Sequence, residues 1–207
     1  MSDRIALFPL HTMLFPHSDL GLHVFEERYR ELVSHCLGCG DGFGVVLIKR
    51  GRDVETPEAA PAQSHPIGTL AHIAGYARLP DGRFLLEVEG SKRFTIHSLN
   101  GGGPYPRASV TWMTEPIGNF AEARSQSVRA EQLFRTYRRL NGDGEIPVQL
   151  PVDPVARSYI LASLLDIDVH EKQQLLGTAA ADDRLALETK ILRREIALLD
   201  HVREERR

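Results

Sequence analysis

The sequence has little cysteine and no long apolar run. Its 207 residues include two cysteines, Cys36 and Cys39, too few for a disulfide framework or a structural zinc site built from two cysteine pairs. No stretch reaches the roughly 18 consecutive apolar residues that a transmembrane helix needs, and the first residues do not form a signal peptide. We therefore expect a cytoplasmic protein that is held together by its hydrophobic core.

The chain also lacks a strong excess of charge of either sign. It has 25 Lys and Arg residues against 28 Asp and Glu residues, for a formal net charge of −3. This charge gives no whole-molecule attraction to nucleic acid or to an anionic membrane. The basic residues are scattered among acids, a pattern typical of a solvated surface. The composition argues against nucleic acid and membrane as partners.

Sequence signatures of common catalytic sites are missing. No lysine follows a glycine, so the P-loop pattern G-x-x-x-x-G-K-[ST] does not occur. The S-x-x-K and G-x-S-x-G patterns of serine hydrolases do not occur either. His170-Glu171 could open a zinc-binding helix, but Gln174 stands where the second histidine ligand is required. We therefore predict a protein that is not an enzyme, with no cofactor and no metal site.

The two cysteines lie close together at the end of a predicted helix, in the segment His35-Cys36-Leu37-Gly38-Cys39. A redox Cys-x-x-Cys pair normally begins a helix, where the helix dipole lowers the thiol pKa. We favour Cys36 as a residue of the apolar helix face and Cys39 as a turn residue. A redox or metal-binding role stays open as the alternative.

What the chain does have is a patterned N-terminal segment. Ile5–Leu10 and Leu20–Val24 are short apolar runs that predict two strands, and Phe15-Pro16-His17-Ser18 between them is a turn sequence. A helical repeat of apolar positions then follows, made up of Phe25, Tyr29, Leu32, Val33 and Cys36. The segment predicts strand, turn, strand and helix in succession.

The centre of the chain carries the clearest strand signal. Residues Ile67 to Leu79 and Arg83 to Ile96 flank the turn sequence Pro80-Asp81-Gly82, in which proline presets φ and glycine accepts a positive φ. Phe84, Leu86 and Val88 alternate with polar or exposed positions, as in a strand with one buried face. Gly90 then interrupts the alternation, as a β-bulge would.

Shorter segments complete this half of the chain. Val45 to Ile48 and Ala108 to Met113 predict further strands, whereas Gly51 to Pro66 has no periodicity and predicts an exposed loop. About six strands separated by Gly and Pro favour a small barrel or a curved sheet.

Past Pro116 the pattern changes from strands to helices. Four helix starts are predicted from capping residues, at Asn119 with Glu122, at Asp153 before Pro154, at Asp168 with Glu171, and at Asp182 or Asp183. In the long last helix Glu188 and Glu195 interrupt a coiled-coil seam, so we expect it to pack within its own bundle, in a monomer or a weak dimer. The fold class is predicted as α+β, with a β-rich part over residues 1–116 and a helical part over residues 117–207.

Three N-terminal motifs resemble the start of the Lon amino-terminal domain, the substrate-binding module of Lon-type ATP-dependent proteases. They follow the order of that family and are Leu7-Phe8-Pro9-Leu10, Met13-Leu14-Phe15-Pro16 and Leu22-His23-Val24-Phe25-Glu26-Glu27-Arg28-Tyr29. The stretch from Asp168 to Leu176, followed by Ile191 to Ile196, is similar to the D-x-x-EKQ-LL helix and the Leu-rich helix of the same family. His17, where glycine is frequent, departs from the pattern.

The resemblance implies a PUA-like β-barrel of about six strands plus one helix, followed by an α-helical bundle that ends in a long helix. It also implies a non-catalytic polypeptide-binding module. Because ATPase and peptidase signatures are missing, we expect a stand-alone Lon-domain-like protein that acts as an adaptor in protein quality control. The partners would be unfolded or exposed apolar polypeptide segments, together with a protease or chaperone.

The candidate polypeptide-binding residues are apolar side chains on loops and the polar residues of the strand-to-helix junction. They are Met13, Phe15, Glu26, Glu27, Arg28, Tyr29, Tyr76 and Tyr105. For the apolar members the alternative is burial in the core, because sequence does not distinguish an exposed aromatic residue from a buried one. For Glu26 and Glu27 the alternative is a helix amino terminus, whose dipole acidic residues complement.

The alternative function is RNA binding, because PUA-like barrels are also found in proteins that handle RNA. Lys92, Arg93 and Arg107 lie near predicted strand ends and would contact phosphates. The net charge and the lack of a basic stripe with interleaved aromatic residues argue against this function.

Overall fold

Strands dominate the first of the two units into which the chain divides, Met1–Thr114 and Glu115–Arg207. The structure is a computed structural model that describes residues 3–50, 63–100, 102–144 and 149–205. The loop predicted from Gly51 to Pro66 lies outside the described residues as far as residue 62.

In its described residues, the first unit is a seven-stranded sheet with one helix. Its elements are β1 (Asp3–Leu10), β2 (Asp19–Val24), α1 (Glu27–Cys39), β3 (Phe43–Arg50), β4 (Gln63–Ser64), β5 (Ile67–Arg78), β6 (Phe84–Asn100) and β7 (Arg107–Trp112). The pairings run from β1 through β7, β6, β5 and β3 and return to β1, so five strands form a closed circuit. The β1–β3 pair is parallel, and β2 pairs with β6 outside the circuit.

The first unit has two clusters of buried side chains, one on each face of β1. Leu7 belongs to a cluster of buried side chains with Val46 and Phe94, whereas its neighbour Phe8 belongs to a second cluster with Val24. Successive side chains of a strand lie on opposite faces of the sheet, which explains this division. The predicted alternation of Phe84, Leu86 and Val88 in β6 is confirmed, since all three are buried.

Helix α1 covers the second cluster with one face. Its buried residues are Tyr29, Leu32, Val33 and Cys36, at the spacing expected for one side of a helix. The pKa of the Cys36 thiol is raised to about 11, chiefly by burial and to a smaller extent by nearby Asp41. Cys39, the last residue of α1, is exposed. The interpretation of Cys36 as a core residue is confirmed.

Gly90 marks a bulge in β6, as the interrupted alternation predicts. Between the pairs Ala71–Gly90 and Thr69–Arg93, β6 advances one residue more than β5. The connection from β1 to β2 lies directly on this point. The Gly90 amide donates to the Ser18 carbonyl at 2.9 Å, and its carbonyl accepts from the His17 amide at 2.8 Å. A Cβ atom at position 90 would lie 2.1 Å from the Phe15 carbonyl oxygen, so only glycine allows this approach.

His17 has a φ of 61°, in the left-handed region that favours glycine. This conformation explains why the Lon pattern often has glycine at the position that His17 occupies. The structure tolerates histidine there because the two backbone hydrogen bonds to Gly90 fix the turn.

Four helices make up the described part of the second unit: α2 (Phe120–Asn141), α3 (Pro154–Leu164), α4 (Val169–Gly177) and α5 (Ala181–Glu205). The predicted caps of α2, α3 and α4 are confirmed, because the side chains of Asn119, Asp153 and Asp168 each accept a backbone amide hydrogen bond at the helix start. Helix α5 begins slightly earlier than predicted. The Asp182 carboxylate lies in its first turn and accepts from the Asn119 amide at 2.7 Å, which links the starts of α2 and α5.

Glu188, in the interior of α5, is fully buried. Burial raises the pKa of its carboxyl well above the ordinary value, and Arg184 one turn earlier lowers it by less. Neither carboxyl oxygen has a hydrogen-bond partner among the described residues. The structure therefore favours the neutral carboxyl.

Arg184 is fully buried as well and is held by hydrogen bonds and a ring contact. Its Nε donates to Ser158 Oγ at 2.8 Å and its Nη1 donates to the Thr178 carbonyl at 2.9 Å. Its guanidinium carbon lies 3.8 Å from the centroid of the Tyr159 ring. The tyrosine hydroxyl in turn donates to the Glu115 carboxylate. These contacts hold α5 against α3 within the helical unit.

No helix in the described part of the chain combines the length and the apolar character that crossing a bilayer requires.

Substitution of Gly90 by alanine should destabilise the first unit by roughly 1–3 kcal/mol, the usual cost of overpacking, because the new Cβ would collide with the Phe15 carbonyl. Urea unfolding followed by circular dichroism measures the change. Gly21→Ala is the matched control, since no atom lies within 4 Å of a Cβ added in β2. Equal stability of the two variants would contradict the close approach.

Glu188→Gln should reduce the dependence of stability on pH. A carboxyl whose pKa is raised in the folded state binds more protons when folded, so stability falls as pH rises from the ordinary glutamate value of about 4.3 toward the raised value. The glutamine variant should lose less stability than the parent protein between about pH 4 and about pH 7.

Urea unfolding at the two pH values measures this difference, and Glu204→Gln, at an exposed position of α5, is the control. Equal losses in the Glu188→Gln variant and the parent protein would mean that the pKa of Glu188 is not raised by folding.

Candidate functional site

A cleft of about 190 Å³ lies between the end of β1 and the junction of β2 with α1. Its lining residues are Phe8, Pro9, Leu10, Gly21, Leu22, His23, Val24, Phe25, Glu26 and Tyr29. The walls come from two strands that do not pair with each other. Among the described residues β2 pairs only with β6, and the end of β1 pairs only with β3 after its β7 pairing stops at Ala6. Each strand therefore has one edge without a strand neighbour at the cleft.

The floor of the cleft is fixed by an aromatic stack. The rings of Phe8 and Tyr29 lie 4.1 Å apart between centroids, with an angle of 12° between their planes. The Arg28 guanidinium lies 4.5 Å from the Tyr29 ring centroid, and Arg28 Nε donates to the Glu26 carboxylate at 3.0 Å. One connected row of contacts thus runs from the rim of the cleft to its floor, through Glu26, Arg28, Tyr29 and Phe8.

Phe25 is the large apolar side chain that stands open beside this cleft, with 52% of its surface exposed. The helical spacing that grouped it with Tyr29 is misleading, because α1 begins only at Glu27. Phe25 instead continues the alternation of β2, in which Leu22 and Val24 are buried and His23 and Phe25 are exposed. This period-two pattern was the sequence signal that could have identified it. Its ring centroid lies 5.9 Å from that of His23.

The structure brings together only some of the predicted binding residues. Glu26, Arg28 and Tyr29 lie at the junction, with Glu27 exposed in the first turn of α1, where acidic residues complement the dipole. Tyr76 is 59% exposed near the end of β5, with its ring centroid 6.4 Å from that of Phe84. Met13 is half-buried in the connection between β1 and β2.

Phe15, Tyr29 and Tyr105 are core residues, which is the alternative considered for the apolar candidates. Phe15 is buried because its segment lies against Gly90. Tyr29 stacks on Phe8, and Tyr105 packs in the same cluster while its hydroxyl accepts from Arg107 Nη2 at 2.9 Å.

The family model described as "ATP-dependent protease La (LON) substrate-binding domain" matches residues 4–194. The chain belongs to this family. The resemblance that the N-terminal motifs and the Asp168–Leu176 stretch predict is therefore confirmed.

Relatives of this LON substrate-binding domain include long proteases. The chain is 26% identical over 204 residues to the Lon protease of Phenylobacterium zucineum (strain HLK1), covering 95% of the chain and 25% of that protein. It is 28% identical over 203 residues to Lon protease 2 of Herpetosiphon aurantiacus, covering 95% of the chain and 24% of that protein. The chain thus spans about a quarter of the length of the curated relatives it matches.

Solved structures show the same architecture. A Lon N-terminal domain protein from Xanthomonas campestris matches with a TM-score of 0.64 and 26% identity, over 89% of this chain and 95% of that chain. The N-terminal domain of Lon protease from Mycobacterium avium complex matches with a TM-score of 0.69 and 16% identity, over 94% of this chain and 98% of that chain. At this identity the match supports a shared fold and nothing more. The mixed architecture of sheet and helices predicted from the sequence is confirmed.

The three basic residues considered for RNA have different surroundings in this LON domain. Arg93 is fully buried, so its predicted contact with phosphate is wrong. Lys92 Nζ lies 3.8 Å from the centroid of the Trp112 ring, and Arg107 donates to the Tyr105 hydroxyl. The match to the substrate-binding domain likewise gives no support to RNA binding.

Proposed function

We propose that this LON substrate-binding domain binds extended, apolar polypeptide segments in the cleft between β1 and β2, without a catalytic step of its own. The observation that carries the proposal is the half-exposed ring of Phe25 beside apolar walls and an open strand edge. An exposed aromatic residue at an apolar cleft is a common anchor of protein interfaces. Membership of a substrate-binding family supports the same function.

The open edge of β2 suggests how one surface would accept many sequences. An extended segment that adds to a strand edge is held mainly by main-chain hydrogen bonds, while its alternate side chains enter pockets. Main-chain hydrogen bonds do not depend on side-chain identity, so such binding tolerates diverse segments. The cleft, at about 190 Å³, is smaller than the roughly 300–1,000 Å³ of small-molecule pockets, which favours a peptide side chain as its occupant.

The rim of the cleft would favour segments that present apolar side chains on one side. Glu26 and Arg28 form an ion pair at 3.0 Å, and both side chains are largely covered, with exposures of 18% and 15%. A paired rim offers little net charge to a ligand, so apolar contact with Phe25 supplies most of the discrimination. We include Tyr76 as a second exposed aromatic candidate on this unit.

We extend the proposal to the barrel fold, the subdomain bounds and the cellular role of the protein. The closed circuit of five strands supports a PUA-like barrel, with a barrel subdomain at residues 1–116 and a helical subdomain at residues 117–207. We propose that the protein works in the cytoplasm as a monomer or weak dimer. There it would act as an adaptor that hands bound segments to a protease or chaperone.

Phe25→Ser should weaken the binding of an unfolded protein about 10-fold, because it removes an apolar contact worth roughly 1.5 kcal/mol. Fluorescence anisotropy of labelled, reduced and carboxymethylated lactalbumin measures the affinity. Leu99→Ser is the matched control, since Leu99 is an exposed apolar residue of β6, at 63%, outside the cleft lining. An equal loss in both variants, or no loss in Phe25→Ser, would contradict the assignment of the cleft.

A further inference from the structure

A cluster of three different metal-ligating side chains lies at the carboxyl end of α1. One ligand atom from each of His35, Cys39 and Asp41 lies within 4.8 Å of the other two, and all three residues are exposed. The cluster is separate from the cleft lining, which begins at the opposite end of α1. Its donor set is an imidazole nitrogen, a thiol sulfur and a carboxylate oxygen.

The local sequence explains why these side chains meet. His35 and Cys39 are four residues apart in α1 and so lie on the same face of the helix. Gly40 ends the helix with a φ of 74°, and its amide donates to the Cys36 carbonyl at 2.8 Å. This reversal brings the next residue, Asp41, back toward the end of the helix.

The loop that carries Asp41 is held against the sheet. A Cβ atom added to Gly42 would lie 2.6 Å from the Ala71 carbonyl oxygen, and Phe43 pairs with Ala71 at the start of β3. Asp41 is thus fixed between a capped helix end and a paired strand. A ligand set held by such neighbours needs little ordering when an ion binds.

We propose that His35, Cys39 and Asp41 bind a divalent transition metal ion, with Zn²⁺ as the preferred ion and one coordination position open. Ligand distances of about 2.0–2.3 Å place the ligands of a tetrahedral zinc ion about 3.5 Å apart, so small side-chain rotations convert the observed cluster into a site. The thiolate excludes Mg²⁺ and Ca²⁺ as preferred ions, because these hard cations select oxygen ligands.

The surroundings of the cluster suit a cation in two further respects. The carboxyl end of a helix carries partial negative charge, and the last turn of α1 contains no basic residue to complement it. His35 and Asp41 also border a cavity of about 370 Å³, whose lining includes His72 and Asp3 together with Arg4 and Arg107. Water from this cavity would fill the open coordination position.

This proposal departs from the sequence-based expectation of no metal site and takes up the alternative left open for the cysteines. Only Cys39 takes part, because Cys36 is buried in the core of the first unit. The ion would link the end of α1 to the start of β3. This role does not depend on whether the cleft at the other end of α1 binds polypeptide.

Titration of the metal-free, reduced protein with Co²⁺ tests the site through its absorption spectrum. We expect a thiolate-to-cobalt charge-transfer band in the near ultraviolet that saturates at one ion per chain and disappears when Zn²⁺ is added. Cys39→Ser should abolish the band, and His35→Gln and Asp41→Asn should each weaken Zn²⁺ binding about 10-fold or more, measured by calorimetry. His201→Gln is the control, since His201 is an exposed histidine of α5 that pairs with Glu205 at 3.4 Å.

Thermal unfolding gives a second readout that is independent of spectroscopy. Zn²⁺ should raise the Tm of the parent protein and of His201→Gln, and should leave the Tm of Cys39→Ser unchanged. A spectrum without a charge-transfer band, or Zn²⁺ affinity that is equal in Cys39→Ser and the parent protein, would overturn the proposal.

Discussion

The position of β2 depends on the backbone hydrogen bonds between Gly90 and the turn that precedes β2. His17 and Ser18 each bond to Gly90, and the next residue, Asp19, opens the ladder between β2 and β6 opposite Glu89. This contact seats β2 outside the closed circuit of strands and sets which of its edges is paired. The other edge then lies at the cleft, where His23 is exposed on β2 and Phe25 is exposed directly after the strand ends. The candidate site therefore follows from one close backbone approach that only glycine permits.

Local signals in the sequence predicted most of the elements of the fold. Helix caps were identified because Asn119, Asp153 and Asp168 act on backbone amides a few residues away. The bulge at Gly90 was predictable for the same reason, since a glycine that interrupts a strand pattern is a local signal. The parallel pairing of β1 with β3 was not predicted, because it joins strands separated by a helix, and no local pattern specifies such a partner.

The candidate site was harder to predict than the fold. Phe25, Phe15, Tyr29 and Tyr105 are all large and apolar, and sequence does not say which of them the tertiary structure covers. Phe25 fits both a helical and a strand period, and the observed start of α1 at Glu27 decides between them. Glu188 illustrates the opposite case, a charged residue type that packing buries completely. For Phe15 and Tyr29 the deciding fact is a contact with a distant part of the chain, at Gly90 and Phe8 respectively.

Helix α1 connects the two proposed sites. Its first turn lies at the cleft and its last residue belongs to the metal-ligating cluster, so its 13 residues separate the sites by about 20 Å at 1.5 Å per residue. Tyr29 holds the helix on Phe8 at one end, and the Gly40 cap fixes it at the other. The helix thus positions both sites on one rigid element of the first unit.

Amide hydrogen exchange of the full chain, with and without reduced, carboxymethylated lactalbumin, tests the central claim that an extended segment adds to the open edge of β2. Main-chain pairing with a bound segment would protect amides of β2 at residues 19–24, while exchange in β7 and α5 would stay the same. Protection that appears in other elements and leaves β2 unchanged would contradict the account.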